Sequence, residues 1–125
     1  MKKTFGLLIL AIFVGSGFLF ESCKKETTEV NMIIRNWNLV SKTVLGVDIA
    51  TDCEKGSKWN FKADDTYVIK DNCDQTKTGT WKLADNGETL TLDNLTAYKV
   101  IENSIVKLVI EMQVGDVGLV RWTFD

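Results

Sequence analysis

The chain contains no histidine at all. That removes Ser-His-Asp and Cys-His catalysis and the usual histidine-bearing zinc sets. Proline is equally absent, and turn signals built from Gly, Asn and Asp punctuate the chain instead. There are only 3 cysteines. No glycine pattern of the phosphate-cradling kind is present. Charge is nearly balanced, with 15 basic and 17 acidic side chains. No basic patch stands out along the sequence, so nucleic acid is not expected as a partner.

What is present first is an export pattern. Lys2 and Lys3 open the chain, and an uncharged, largely apolar stretch follows from Phe5 to Phe20. Glu21 and Ser22 then lead into Cys23. A positive start, an apolar middle and a small residue before a cysteine describe a lipoprotein signal peptide over residues 1–22. The apolar stretch is short of the ~20 residues that a spanning helix needs. Cys23 is the expected site of lipid attachment, by palmitate or a similar acyl chain, and residues 23–31 read as a polar tether. Phe20 and Glu21 depart from the usual residues before the lipid-bearing cysteine. The expected localisation is the cell envelope of a Gram-negative bacterium, lipid-anchored to the membrane on its periplasmic side or at the cell surface.

Without Lys2, Lys3 and Glu21 the mature chain keeps 13 basic and 16 acidic residues. Its length suits one domain, assigned to residues 32–125. From residue 35 onward the apolar positions recur with a period of two, and no stretch has a convincing helical period. Eight strands are predicted, near 35–45, 57–62, 66–70, 79–84, 88–93, 96–102, 105–112 and 117–124. Leu45-Gly46-Val47-Asp48, Ala63-Asp64-Asp65, Asp85-Asn86-Gly87 and Gly115-Asp116 supply turns between them. Apolar residues alternating with polar ones mark antiparallel strands with one buried and one wet face. The fold class is therefore all-β, a small eight-stranded antiparallel up-and-down barrel or a sandwich, and closing a barrel removes exposed strand edges.

Cys53 and Cys73 form the remaining pair. Outside the cytoplasm such a pair defaults to a disulfide. A two-residue turn centred on Ala63-Asp64 sets pairing sums near 126–127, with Trp59 opposite Tyr67 or Val68. Cys53 then falls opposite Cys73 or a neighbour, within disulfide reach at the open end of the hairpin.

Several segments together resemble the lipocalin-like domain of small bacterial lipoproteins. They are Trp37-Asn38-Leu39-Val40, Asp52-Cys53-Glu54-Lys55, Trp59-Asn60-Phe61-Lys62-Ala63-Asp64, Gly79-Thr80-Trp81-Lys82-Leu83 and Leu90-Thr91-Leu92. Their order and spacing cover nearly the whole mature chain. The resemblance implies an eight-stranded barrel or half-barrel, a lipoprotein signal and a binding role. Two positions depart from the family pattern: Arg35 stands where a glycine is usual before the first Trp, and Asp64-Asp65 stands where Asp-Gly is usual.

The aromatic residues Trp37, Trp59, Tyr67, Trp81, Tyr98 and Trp122 all fall on predicted inward faces. They are candidates either to line a ligand calyx or to fill a core, because eight strands enclose just enough space for side chains or one small ligand. A mostly filled interior is favoured, with any pocket shallow and near one mouth. The turn acids Asp64, Asp65, Asp71 and Asp74 match no calcium loop, and no cofactor or metal is expected. Carboxylate pairs for glycoside hydrolysis carry no weight, since 16 acids always supply some pair. The expected protein is non-catalytic. Its expected partners are the membrane through the anchor and a small apolar or amphipathic ligand. A structural role with an envelope protein docked on the barrel is the alternative, with Ile101, Val109 and Leu119 as outward apolar positions.

Overall fold

The computed structural model describes residues 30–125. The signal segment 1–22, Cys23 and tether residues 23–29 lie outside the described residues. No helix among the described residues is long and apolar enough to cross a membrane.

Alternation builds the walls. In β9 (Gly118–Phe124), Val120, Trp122 and Phe124 are buried while Leu119 and Arg121 are exposed. A similar alternation, interrupted in places, shapes β1 (Asn36–Val44), β3 (Lys58–Phe61), β4 (Thr66–Lys70), β5 (Thr76–Ala84), β6 (Thr89–Leu92) and β7 (Thr96–Asn103), whereas β8 (Leu108–Val114) buries three consecutive residues, Leu108, Val109 and Ile110. β2 (Val47–Asp48) is a two-residue spur paired to the end of β1. Each strand pairs antiparallel with the next around the sheet, and β1 also pairs with β9. That last ladder closes an eight-stranded barrel. β1 manages two neighbours by dividing its length. Asn36–Asn38 pair with β3, and Leu39–Val44 pair with β9.

The turns follow local chemistry. Leu45 and Gly46 take positive φ between β1 and β2, as a two-residue hairpin connection with the right-handed strand twist demands. Asp65 takes φ 66°. It stands where the family pattern has glycine and adopts the left-handed conformation that Asp tolerates. Its amide bonds back to Lys62, and the Lys62 amide bonds to Thr66. The connection is therefore three residues, Ala63–Asp65, and the pairing sums rise to 128: Trp59 faces Ile69 and Phe61 faces Tyr67. The two-residue turn expected from the sequence placed these partners one or two positions off. The disulfide survives the shift because Cys53 sits in a turned loop beyond the ladder. Cys53 and Cys73 are bonded, with Cα atoms 5.2 Å apart.

Further differences from the sequence expectation are local, among them a β5 that starts at Thr76 and not near residue 79. Residues 30–33 form a single helical turn, too short to show a period. The strand predicted to start at 105 starts at Leu108, and Ile105 and Val106 are exposed in the hairpin before it. Of the three outward apolar positions, Ile101 and Leu119 are exposed, but Val109 is buried.

Candidate functional site

The barrel interior divides along its axis. The helical turn lies at the end where β1 begins. There Ile33, Trp37, Phe61, Leu108 and Phe124 are all within 1% of complete burial. Polar handles at this end are tied down. The Trp37 indole N–H donates to the Ile33 carbonyl at 3.0 Å, and the Trp81 indole N–H donates to the Lys62 carbonyl at 3.0 Å. Trp81 also meets Phe61 edge-on at 5.7 Å, a geometry that adds to burial. The indole donors of this half are paired, and Trp81 also lines a surface pocket with Val30, Asp65 and Leu83.

Tyr67 completes this half through a polar link. Its hydroxyl donates to Asp93 Oδ2 at 2.6 Å, and Asp93 Oδ1 accepts from the Thr80 amide at 3.0 Å. Burial first, then the hydrogen bond to the Asp93 carboxylate, raises the Tyr67 pKa well above its ordinary value. The Tyr67 hydroxyl lowers the Asp93 pKa, with help from the Thr80 amide. Gly79 makes room for this link. A Cβ there would lie 1.9 Å from Asp93 Oδ1 and 2.8 Å from Tyr67 Cε1.

Trp59, Tyr98 and Trp122 occupy the other half. Tyr98 meets Trp59 at 6.5 Å and Trp122 at 5.2 Å, both edge-on, and Trp59 meets Phe124 at 5.0 Å. They are 7–8% exposed, and the side chains packed beside them toward this end, Val44, Ile69, Met112 and Val114, are only partly buried. Among the described residues, the indole N–H groups of Trp59 and Trp122 and the Tyr98 hydroxyl have no hydrogen-bond partner. Burial alone raises the Tyr98 pKa. This end is an aromatic mouth with unused donors.

One cation enters it. Leu39 pairs with Phe124 and Ser41 with Thr123, so Val40 is an extra residue, a β-bulge. A bulge re-aims the side chains that follow. Lys42 pairs directly with Trp122 and so stands on the inner face. Its Nζ lies 5.9 Å from the Trp122 ring centre and 2.8 Å from Glu54 Oε2. The two charged side chains are 23% and 32% exposed.

All six aromatic candidates are thus inward and buried, but they do not form one site. Trp37, Tyr67 and Trp81 belong to the packed half; Trp59, Tyr98 and Trp122 form the mouth. Sequence reasoning missed Lys42 and Glu54. The available signal is a change of parity, since Trp37 and Leu39 are odd-numbered inward residues whereas partly buried Val44 is even. Among the described residues no group of three or more His, Cys, Asp or Glu side chains could hold a metal ion.

The family described as "Lipocalin-like domain" matches residues 33–110, more than half of the chain. No curated protein matches it significantly.

Proposed function

Because this chain belongs to the lipocalin-like domain family, we propose that it is a non-catalytic binding module that takes one small apolar or amphipathic molecule at its barrel mouth. The observation that supports this most is the cluster of Trp59, Tyr98 and Trp122, packed on one another with donors unused and a partly buried apolar rim around them. An apolar, aromatic wall with a few polar groups is the usual composition of a small-molecule site. The packed half leaves little room, so the ligand lies shallow, its apolar part against the three rings. Titration with apolar probes, read by tryptophan fluorescence, tests this. Binding that is lost in Trp122→Ala with the fold intact supports it; a wild-type protein that binds none of them contradicts it.

The export pattern complements this role. Cys23 carries lipid, and the tether holds the barrel at the membrane of a Gram-negative envelope. Fatty-acid labelling of the wild-type chain, absent in Cys23→Ala, is the expected result.

A second reading has its own support. Leu45, Leu95, Ile105, Val106 and Val117 are exposed at loops and hairpins, and apolar tips of this kind also suit docking to another envelope protein.

A further inference from the structure

The bulge at Val40 places a charge where an apolar calyx would have none. Lys42 is a cation on the inner wall, above the Trp122 ring. Lys77 joins it on the same inner face, opposite Ile69 at the rim. An ammonium group over an aromatic face is favourable, but a partly desolvated lysine also needs an acceptor. In this structure the acceptor is Glu54, which comes from a loop and not from the barrel wall.

That loop is built to present the carboxylate. Thr51 and Glu54 form a reciprocal capping box: the Glu54 amide donates to Thr51 Oγ1 at 3.2 Å, and the Thr51 amide donates to Glu54 Oε1 at 3.1 Å. The second oxygen, Oε2, is left for Lys42. The Cys53–Cys73 disulfide fastens the neighbouring residue to the β4–β5 hairpin, and Gly56 and Ser57 bond to Leu39 on either side. Burial on its own would raise the Glu54 pKa, but the Lys42 bond and the Thr51 amide outweigh it and lower the value.

We propose that the mouth selects an amphiphile bearing a carboxylate, whose acid group takes the place of Glu54 on Lys42 while its apolar part lies on Trp59, Tyr98 and Trp122. Glu54 is the chain's own stand-in for the ligand's head group. One ion pair is exchanged for another, so the charge on Lys42 stays compensated throughout. The released Glu54 keeps its capping bond to Thr51 and meets solvent at the loop surface. This assignment rests on the binding-module reading.

The test uses three probes with one chain length and different heads: decanoate, 1-decanol and decyltrimethylammonium. Binding to the purified, disulfide-bonded protein is read by calorimetry. Wild type should prefer decanoate to decanol by about ten-fold or more, the range of one charge-assisted hydrogen bond. Lys42→Met should remove that preference, decanoate binding falling to the level of decanol. Glu54→Gln keeps the capping box, frees Lys42 and should tighten decanoate. If Lys42→Met does not fold, Glu54→Gln decides alone. Equal binding of decanoate and decanol to wild type, a preference for the ammonium probe, or no gain in Glu54→Gln would overturn the carboxylate assignment while sparing the binding module. If no probe binds wild type, the binding-module reading falls and this assignment with it.

Discussion

Trp81 and Trp122 stand on the same inner surface and are almost equally buried, at 4% and 7%. Their surroundings differ in kind. Trp81 is held by a carbonyl on its N–H and by an edge-on contact with Phe61. Trp122 has a ring beside it and a lysine above it, but nothing on its N–H among the described residues. One end of the barrel has its indole donors bonded to carbonyls; the other has donors without a partner among the described residues, which the proposed ligand would engage. Burial alone does not separate a packed wall from a binding wall. The pairing of polar atoms does.

The sharpest way to break the comparison is to truncate one tryptophan in each half. Trp81→Ala should lower stability by ~3–5 kcal/mol, the range for a large side chain removed from a core that collapses poorly. Trp122→Ala, beside the mouth, should lose only about 2 kcal/mol, because the open end relaxes more readily. Denaturant unfolding of both measures the gap; equal losses would erase the distinction between the halves.

The disulfide serves the open end. Replacing Cys53 and Cys73 together by Ser should lower stability by about 3 kcal/mol for a loop closed across 20 residues. It should also loosen Glu54 from Lys42 while leaving Trp81 as well protected as before. Chemical denaturation and hydrogen exchange of the double variant check both halves of that statement.

Gly79→Ala acts on the packed end. The added Cβ collides with Asp93 and Tyr67, so the Tyr67–Asp93 bond must break or the strands must shift. A loss of about 2 kcal/mol is expected, from overpacking and a severed charge-assisted bond together. Thermal melting beside Tyr67→Phe, which removes the bond without the clash, separates the two causes.

The smallest expected effect is a pH dependence. Asp93 is depressed in the folded state, so its contribution is present above the unfolded carboxylate value and is lost as acid approaches the lower folded value. Tyr67 is raised; its contribution is present below the unfolded tyrosine value and is lost as alkali approaches the higher folded one. Asp93→Asn should flatten the acid limb, and Tyr67→Phe should remove its share of the alkaline one. Melting temperatures across the pH range read both.

Much of this fold was legible in the chain because alternation reports burial directly. Trp122 and Phe124 flanking Thr123 leave no doubt which face is inside. Asp85-Asn86-Gly87 announces its turn, and all three residues do take positive φ. What alternation cannot report is a skipped residue. The bulges at Val40 and Ile101 each insert one side chain without changing composition, so the inward turn of Lys42 stayed hidden. Val106 looked like strand because it continues the alternation of Leu108 and Ile110, yet here Ile105 and Val106 are both exposed at a hairpin. The Tyr67–Asp93 link joins residues 26 apart in sequence and leaves no periodic trace.

The division of the barrel into a packed end and a receptive one is tested most directly by the four indole N–H resonances, followed by hydrogen exchange in a nitrogen-15 NMR spectrum. Trp37 and Trp81, bonded to carbonyls, should exchange slowly, with protection close to that of global unfolding. Trp59 and Trp122 should exchange much faster and slow down when decanoate is added. Four indoles with equal protection, unchanged by the added carboxylate, would contradict the account.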